Sequence, residues 1–167
     1  RTEYHFKRGH ARFETGDLEG ARGDLLRVKE DPAAQPEFLE ASEYYLAHIA
    51  FAEDRLTTAM EAFESLSAID AFKDAVPLYI GQILYRLERF EELAERGPSW
   101  LAEDRDLAKG DQKELTRILG EAFFHLGDCT SASPYLESAW TYAEAQERTA
   151  GFSYIVGTCR LSNGNPS

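Results

Sequence analysis

Residues 114–142 read ELTRILGEAFFHLGDCTSASPYLESAWTY (Glu114–Tyr142). The stretch predicts two short amphipathic helices joined by a tight turn. Small residues, Gly120 and Ala132, stand where the two helices have to touch. Weaker copies occur three times before it, and half a copy follows. The small residue in the middle of each first helix is Gly9, Ala47, Gly81, Gly120 and Gly157, at spacings of 38, 34, 39 and 37. The small or apolar residue of each second helix is Ala21, Ala59, Leu93 and Ala132, always 12 residues later. A constant offset means a constant hairpin, with length variation confined to the loops between hairpins. Stacked repeats require this, because each hairpin must offer the same face to its neighbour.

Taken in order, the repeats are expected at about 2–35, 38–70, 74–102 and 112–146, with a half repeat at 149–162, in a single domain. In the first, Phe6, Ala11 and Phe13 suit one helix ending at Thr15–Gly16. Gly past a helix end tolerates positive φ. Asp17 can cap the next helix, whose Leu18, Ala21, Leu25 and Val28 recur at spacings of three and four. Asp31-Pro32 stops it. The second repeat has helices over 38–52 and 56–68, with a glycine-free turn at Glu53–Arg55. The third is expected to open with Asp74 as N-cap, Pro77 falling in the first turn, where its missing N–H is not needed. Its second helix, 90–96, is expected to break at Gly97-Pro98, Trp100-Leu101 continuing the apolar face beyond. Glu103–Gln112 is a charged connector, and Asn163-Gly164-Asn165-Pro166 reads as another turn. No window shows sustained strand alternation.

The chain has 167 residues, 43% of them hydrophobic, enough for a sizeable core. Its 18 Lys and Arg against 30 Asp and Glu leave a net charge of −12. Such a surface repels phosphate backbones and anionic membranes, so no nucleic-acid partner is expected and a basic or neutral protein partner is favoured. No apolar run approaches the roughly 18–20 residues that span a bilayer, so direct membrane insertion is not expected. The chain begins at Arg1 rather than Met and stops where another helix should begin, and it reads as a mature form or an excised piece of a longer protein. Cytoplasm and periplasm both stay open.

The repeat resembles the tetratricopeptide repeat, whose nominal period is about 34 residues. The best copies are Leu119, Gly120, Phe123, Gly127, Ala132, Leu136 and Ala139 in the fourth unit, and Gly9, Gly16, Ala21, Leu25 and Val28 in the first. YYLAHIAF and VPLYIGQILY are similar to bacterial, envelope-associated members. No unit has Trp at the family's first-helix position, and in the third Leu93 replaces the usual alanine while Gly97 stands where a bulky residue normally goes. The resemblance implies an all-α fold, an open right-handed superhelix of helical hairpins whose first helices line a concave groove. It places Phe6, His10 and Phe13 there, then Tyr44, His48 and Phe51, then Gln82, Tyr85 and Arg86, then Arg117, Glu121 and Phe124. Rigid aromatics make good anchors for peptides. The Lys and Asn that clamp a peptide carboxylate in some members are absent from these positions, so chaperone-tail binding does not carry over.

Other chemistries find little support. His125 and Glu121 are one turn apart, a chelating spacing, but no third ligand is evident and no metal or other cofactor is expected. The acidic residues fall on solvent faces (Glu91, Glu92, Glu95), and no nucleophile–base pair or glycine-rich phosphate loop stands out, so no enzyme is expected. Cys129 and Cys159 read first as two buried thiols, a bridge between adjacent hairpins being the alternative. The expected function is noncovalent binding of a protein or peptide in the groove by a scaffold or adaptor. The alternative is a structural spacer or self-association module in a larger, envelope-associated assembly. Self-association would run through the last helix, where Phe152, Tyr154, Ile155 and Val156 cannot all be covered by the fourth unit.

Overall fold

The computed structural model describes residues 1–102 and 106–164. The expected turn at Asn163–Pro166 and the connector Glu103–Gln112 lie partly outside them. Among the described residues the chain is all α, without strands. The helices are α1 (Thr2–Glu14), α2 (Leu18–Lys29), α3 (Pro36–Ala52), α4 (Leu56–Ser67), α5 (Pro77–Arg86), α6 (Phe90–Trp100), α7 (Lys109–His125), α8 (Cys129–Tyr142) and α9 (Ala150–Ser162). They form two compact units, Arg1–Val76 with α1 to α4 and Pro77 onward with α5 to α9.

The hairpin turns share one conformation. Seven residues after each small residue the backbone turns left-handed: Gly16 at φ +83, Asp54 at φ 59, Glu88 at φ 55 and Gly127 at φ +75. Glycine takes this region freely; Asp and above all Glu do so at a cost. In the first and fourth hairpins the next residue caps the second helix. Asp17 accepts from the Gly20 N–H and Asp128 from the Ser131 N–H, each at 3.0 Å.

Within the first unit α1 packs on α2 and α3, and α3 on α2 and α4. Ala21, Leu25 and Ile49 form one buried cluster of its core, packed against Phe6, Phe13, Leu18, Tyr45 and Leu46. A Cβ on Gly9 would lie 3.0 Å from Leu25 Cγ, so the glycine permits the close approach of α1 and α2. Asp24 is 1% exposed between the same helices. Arg8 Nε and Arg12 Nη1 each donate to its carboxylate at 2.7 Å. The Arg8 bond outweighs burial and holds the carboxyl at about 2.

The second unit repeats this arrangement and departs from it once. A Cβ on Gly120 would lie 2.9 Å from Leu136 Cδ2 and 3.1 Å from the Leu136 backbone nitrogen. The close partner of each small residue is therefore 16 positions on, at Leu25 and Leu136. The third hairpin has Gly97 at that position. There α6 is not broken at Gly97-Pro98, as the sequence suggests, but runs unbroken from Phe90 to Trp100. Pro98 falls in the last turn, where it removes one hydrogen bond. The room beside the two glycines is filled from α7: Leu115 Cδ2 is 2.8 Å from a Cβ position on Gly81, and Leu119 Cδ1 is 2.8 Å from one on Gly97. Gly97 thus admits a neighbouring helix in place of the missing bulky side chain. A second correction concerns Asp74. It lies in a run of turns, where the Val76 N–H reaches the Phe72 carbonyl at 3.1 Å, and helix α5 starts only at Pro77.

The half repeat α9 lies antiparallel on α8. Phe152, Val156 and Cys159 are buried with Ala132, Leu136 and Ala139. Tyr154 and Leu161 remain 68% and 67% exposed. The expectation of two buried thiols is corrected here: Cys129 and Cys159 form a disulfide, their Cα atoms 5.0 Å apart. Antiparallel docking brings the first residue of α8 beside the last turn of α9. A separation of 30 residues does not reveal this without the packing.

Candidate partner-binding cleft

In the first unit the predicted groove residues collect into one ring cluster. Phe6, His10 and Phe13 follow one another along α1 at spacings of four and three, and so share a face. Tyr45 of α3 is the hub, its ring 6.2 Å from Phe6, 4.8 Å from His10 and 5.2 Å from Phe13. Sequence register misses Tyr45 because it selects Tyr44, one residue away. Tyr44 stacks on Phe72 at 5.1 Å, and His48 meets Phe63 of α4 edge-on at 5.3 Å. Part of the predicted stripe is therefore packing between helices. Burial pushes the His48 imidazole down to about 4, so it is neutral at pH 7. Phe51, near the end of α3, is half-buried.

The second unit holds an open cleft of about 710 Å³. Helix α7 supplies Lys113, Glu114, Arg117 and Glu121 at spacings that keep them on one side. Helix α5 contributes Tyr85, the last turn of α8 brings Ala139 and Tyr142, and α9 adds Gly151, Phe152 and Ile155. Ala143, Glu147 and Thr149 come from the α8–α9 connection.

The floor of the cleft is a polar network. Glu121 is 5% exposed. It accepts from Tyr85 Oη at 2.6 Å and from Arg117 Nη1 at 2.6 Å. Arg117 also donates to Glu114, from Nη2 at 2.8 Å and Nε at 3.1 Å. Charge-assisted bonds of this kind fix the guanidinium plane and satisfy a carboxylate that would be costly to bury alone. Burial first, then the bond to Glu121, raises the Tyr85 phenol, so it stays protonated and donating. Around this network, Ala139, Tyr142, Phe152 and Ile155 alternate with Lys113, Glu147 and Thr149. Lys113 Nζ sits 5.7 Å from the centre of the Tyr142 ring. The charged lining residues are Lys113 and Arg117 against Glu114, Glu121 and Glu147, one negative charge in excess.

Of the residues predicted in this unit, Tyr85, Arg117 and Glu121 line the cleft. Gln82, Arg86 and Phe124 do not. Gln82 is half-buried on α5, Arg86 is exposed at its end, and Phe124 packs toward α9, its ring 6.4 Å from Tyr154. The rim residues Lys113, Tyr142 and Glu147 lie outside the family register because they come from helix ends and a connection. Among the described residues no three His, Cys, Asp or Glu side chains gather as metal ligands would. No helix among them is long and apolar enough to cross a membrane.

No protein-family model matches the sequence, and no curated protein does. Among solved structures, that of a MamA mutant, a protein of tetratricopeptide-like fold, is similar with a TM-score of 0.73. The match covers 99% of this chain and 90% of that one at 16% identity, a likeness of fold alone. With the repeated hairpins, it shows an all-α helical-repeat fold that resembles a tetratricopeptide-like one.

Proposed function

We propose that this chain is a noncovalent protein-binding scaffold that takes an extended or helical segment of a partner into the α7–α9 cleft. The observation that carries the reading is the cleft itself: aromatic and aliphatic side chains beside a preorganised polar network. Sites of this kind combine aromatic and aliphatic anchors with a few fixed polar groups. The excess carboxylate in the lining, within a chain of net charge −12, favours a segment carrying Lys or Arg. Phe6, His10, Phe13 and Tyr45 are proposed as a second contact surface on the first unit. No catalytic step belongs to this role.

The test uses exposed rim residues, so that the fold is spared. Binding of a fluorescein-labelled peptide of alternating lysine and leucine is followed by anisotropy at low salt. Glu147→Lys and Tyr142→Ala are expected to weaken it about fivefold or more each, and Lys113→Glu to tighten it. Equal affinity in all four proteins would sink the reading.

The exposed Tyr154 and Leu161 favour a second reading, self-association through α9. It predicts a concentration-dependent mass in light scattering that Tyr154→Ser with Leu161→Ser abolishes. A mass fixed at one chain across the range would dismiss it.

A further inference from the structure

Helix α9 is held differently from the other first helices. A Cβ on Gly9 or Gly120 would press on the second helix of its own hairpin, whereas one on Gly157 would meet nothing within 4 Å. Helix α9 packs on α8 and, through Tyr154, beside Phe124 of α7; its polar and covalent ties to α8 gather at its C-terminal end. Arg160 donates to both Glu137 oxygens at 2.7 and 2.8 Å. The Asn163 amide donates to the Cys129 carbonyl at 3.0 Å and to Ser133 Oγ at 2.6 Å. Cys129 and Cys159 are covalently joined. The N-terminal half of the same helix, through Gly151, Phe152 and Ile155, is a wall of the cleft.

We infer that the Cys129–Cys159 disulfide is a redox latch on the cleft: oxidised, it holds α9 in place as a wall; reduced, it lets α9 leave and the binding surface is lost. The inference rests on the reading of the cleft as the partner site. Without the bond, a helix of 13 residues is left near the length at which isolated helices are marginal, about 12–15 residues. The Arg160–Glu137 pair is bidentate but partly exposed, so solvent screens it. What remains is the packing of Phe152, Val156, Cys159 and Ile155, the Tyr154 ring beside Phe124, Arg160 over the Trp140 ring and the Asn163 amide.

The chemistry is thiol–disulfide exchange with a dithiol reductant. Cys159 is 2% exposed and Cys129 half-buried, so a thiolate enters at the Cys129 sulfur. It forms a mixed disulfide there, and the Cys159 sulfur leaves as a thiolate and takes up a proton. The second thiol of the reductant attacks the mixed disulfide, frees Cys129 and closes the oxidised reductant on itself. Two electrons pass from the dithiol to the protein. Since disulfides persist in oxidising compartments and are reduced in the cytosol, the binding-competent form belongs to the former.

The test follows amide hydrogen exchange and peptide binding in the same samples. The chain is compared oxidised, reduced with dithiothreitol, and as Cys129→Ser with Cys159→Ser. Expected is exchange of the α9 amides about tenfold faster or more in the reduced and double-serine forms, with α1 to α4 unchanged. The labelled lysine–leucine peptide should bind those two forms about tenfold more weakly. Reoxidation should restore both readouts in the wild-type chain. Unchanged α9 exchange after thiol titration confirms two free thiols, or unchanged binding by the reduced form, overturns the latch. Failure of the oxidised chain to bind the peptide is a separate result: it removes the cleft reading, and with it the latch as a control on binding.

Discussion

Replacing Gly120 by leucine tests whether the small residues fix the hairpin geometry. Even the first added carbon would sit 2.9 Å from Leu136 Cδ2 and 3.1 Å from the Leu136 backbone nitrogen. Apolar contacts settle at about 3.5–4.0 Å, so α7 and α8 must part by roughly half an ångström or more before the remaining carbons are placed. Leu136 cannot swing away, because part of the obstacle is its own backbone. Overpacking of this kind costs about 1–3 kcal/mol, and the better helix propensity of leucine returns about 1 kcal/mol. For Gly120→Leu, at the severe end, we expect a net loss of about 2 kcal/mol. Gly157→Ala supplies the internal control. It has open space around it and should gain about 0.5–1 kcal/mol from propensity alone. Both tryptophans, Trp100 and Trp140, lie in the second unit, so urea melts followed by their fluorescence read the relevant region. With a slope of about 2 kcal/mol/M, Gly120→Leu should lower the midpoint by about 1 M, and Gly157→Ala should raise it. Equal midpoints for Gly120→Leu and the parent, or matching losses at both glycines, would refute the placement of the register.

Other predictions follow from single residues. Glu88→Gly relieves a left-handed backbone at φ 55 and should stabilise the second unit by about 0.5–1 kcal/mol in the same melt; a loss would show that the Glu88 side chain matters more than its backbone. His48 titrates at about 4 when folded against an ordinary 6.5, so the folded state binds its proton less readily. Its contribution is present above pH 6.5 and lost as pH falls toward 4, and His48→Leu should flatten that limb of the first unit's stability curve, followed by circular dichroism. Asp24 carries the same sign lower down: its stabilisation holds above pH 3.8 and disappears as pH falls through about 2. Asp24→Asn should cost about 2 kcal/mol at pH 7, measured by chemical denaturation; a neutral result would mean that the arginines hold the hairpin without it.

Much of the scaffold was legible because repetition makes it so. The register of Gly9, Ala47, Gly81, Gly120 and Gly157 lies in the sequence, and the left-handed turn seven residues on follows from Gly16 and Gly127 even where Asp54 and Glu88 disguise it. The 16-residue partner could have been found the same way, since Leu25 and Leu136 occupy it. What was not legible depends on helices meeting. Leu115 and Leu119 rescue the third hairpin from α7, so Gly97-Pro98 read locally as a break. Asp24 reads as one more polar residue until Arg8 and Arg12 close over it. The disulfide needs antiparallel docking of α8 and α9 to bring its two ends together. The cleft was half legible. Tyr85, Arg117 and Glu121 sit on register, while Lys113, Tyr142 and Glu147 come from helix ends and a connection that no repeat specifies.

The most direct measurement is to select peptides on the oxidised chain from a display library and map the bound peptide by backbone amide chemical shifts. The proposed scaffold predicts selected sequences enriched in Lys or Arg beside apolar residues, with shifts concentrated on α7 from Lys113 to Glu121, on Tyr142 and on Phe152 to Ile155. Selection of acidic sequences, or shifts centred away from these residues, would contradict it.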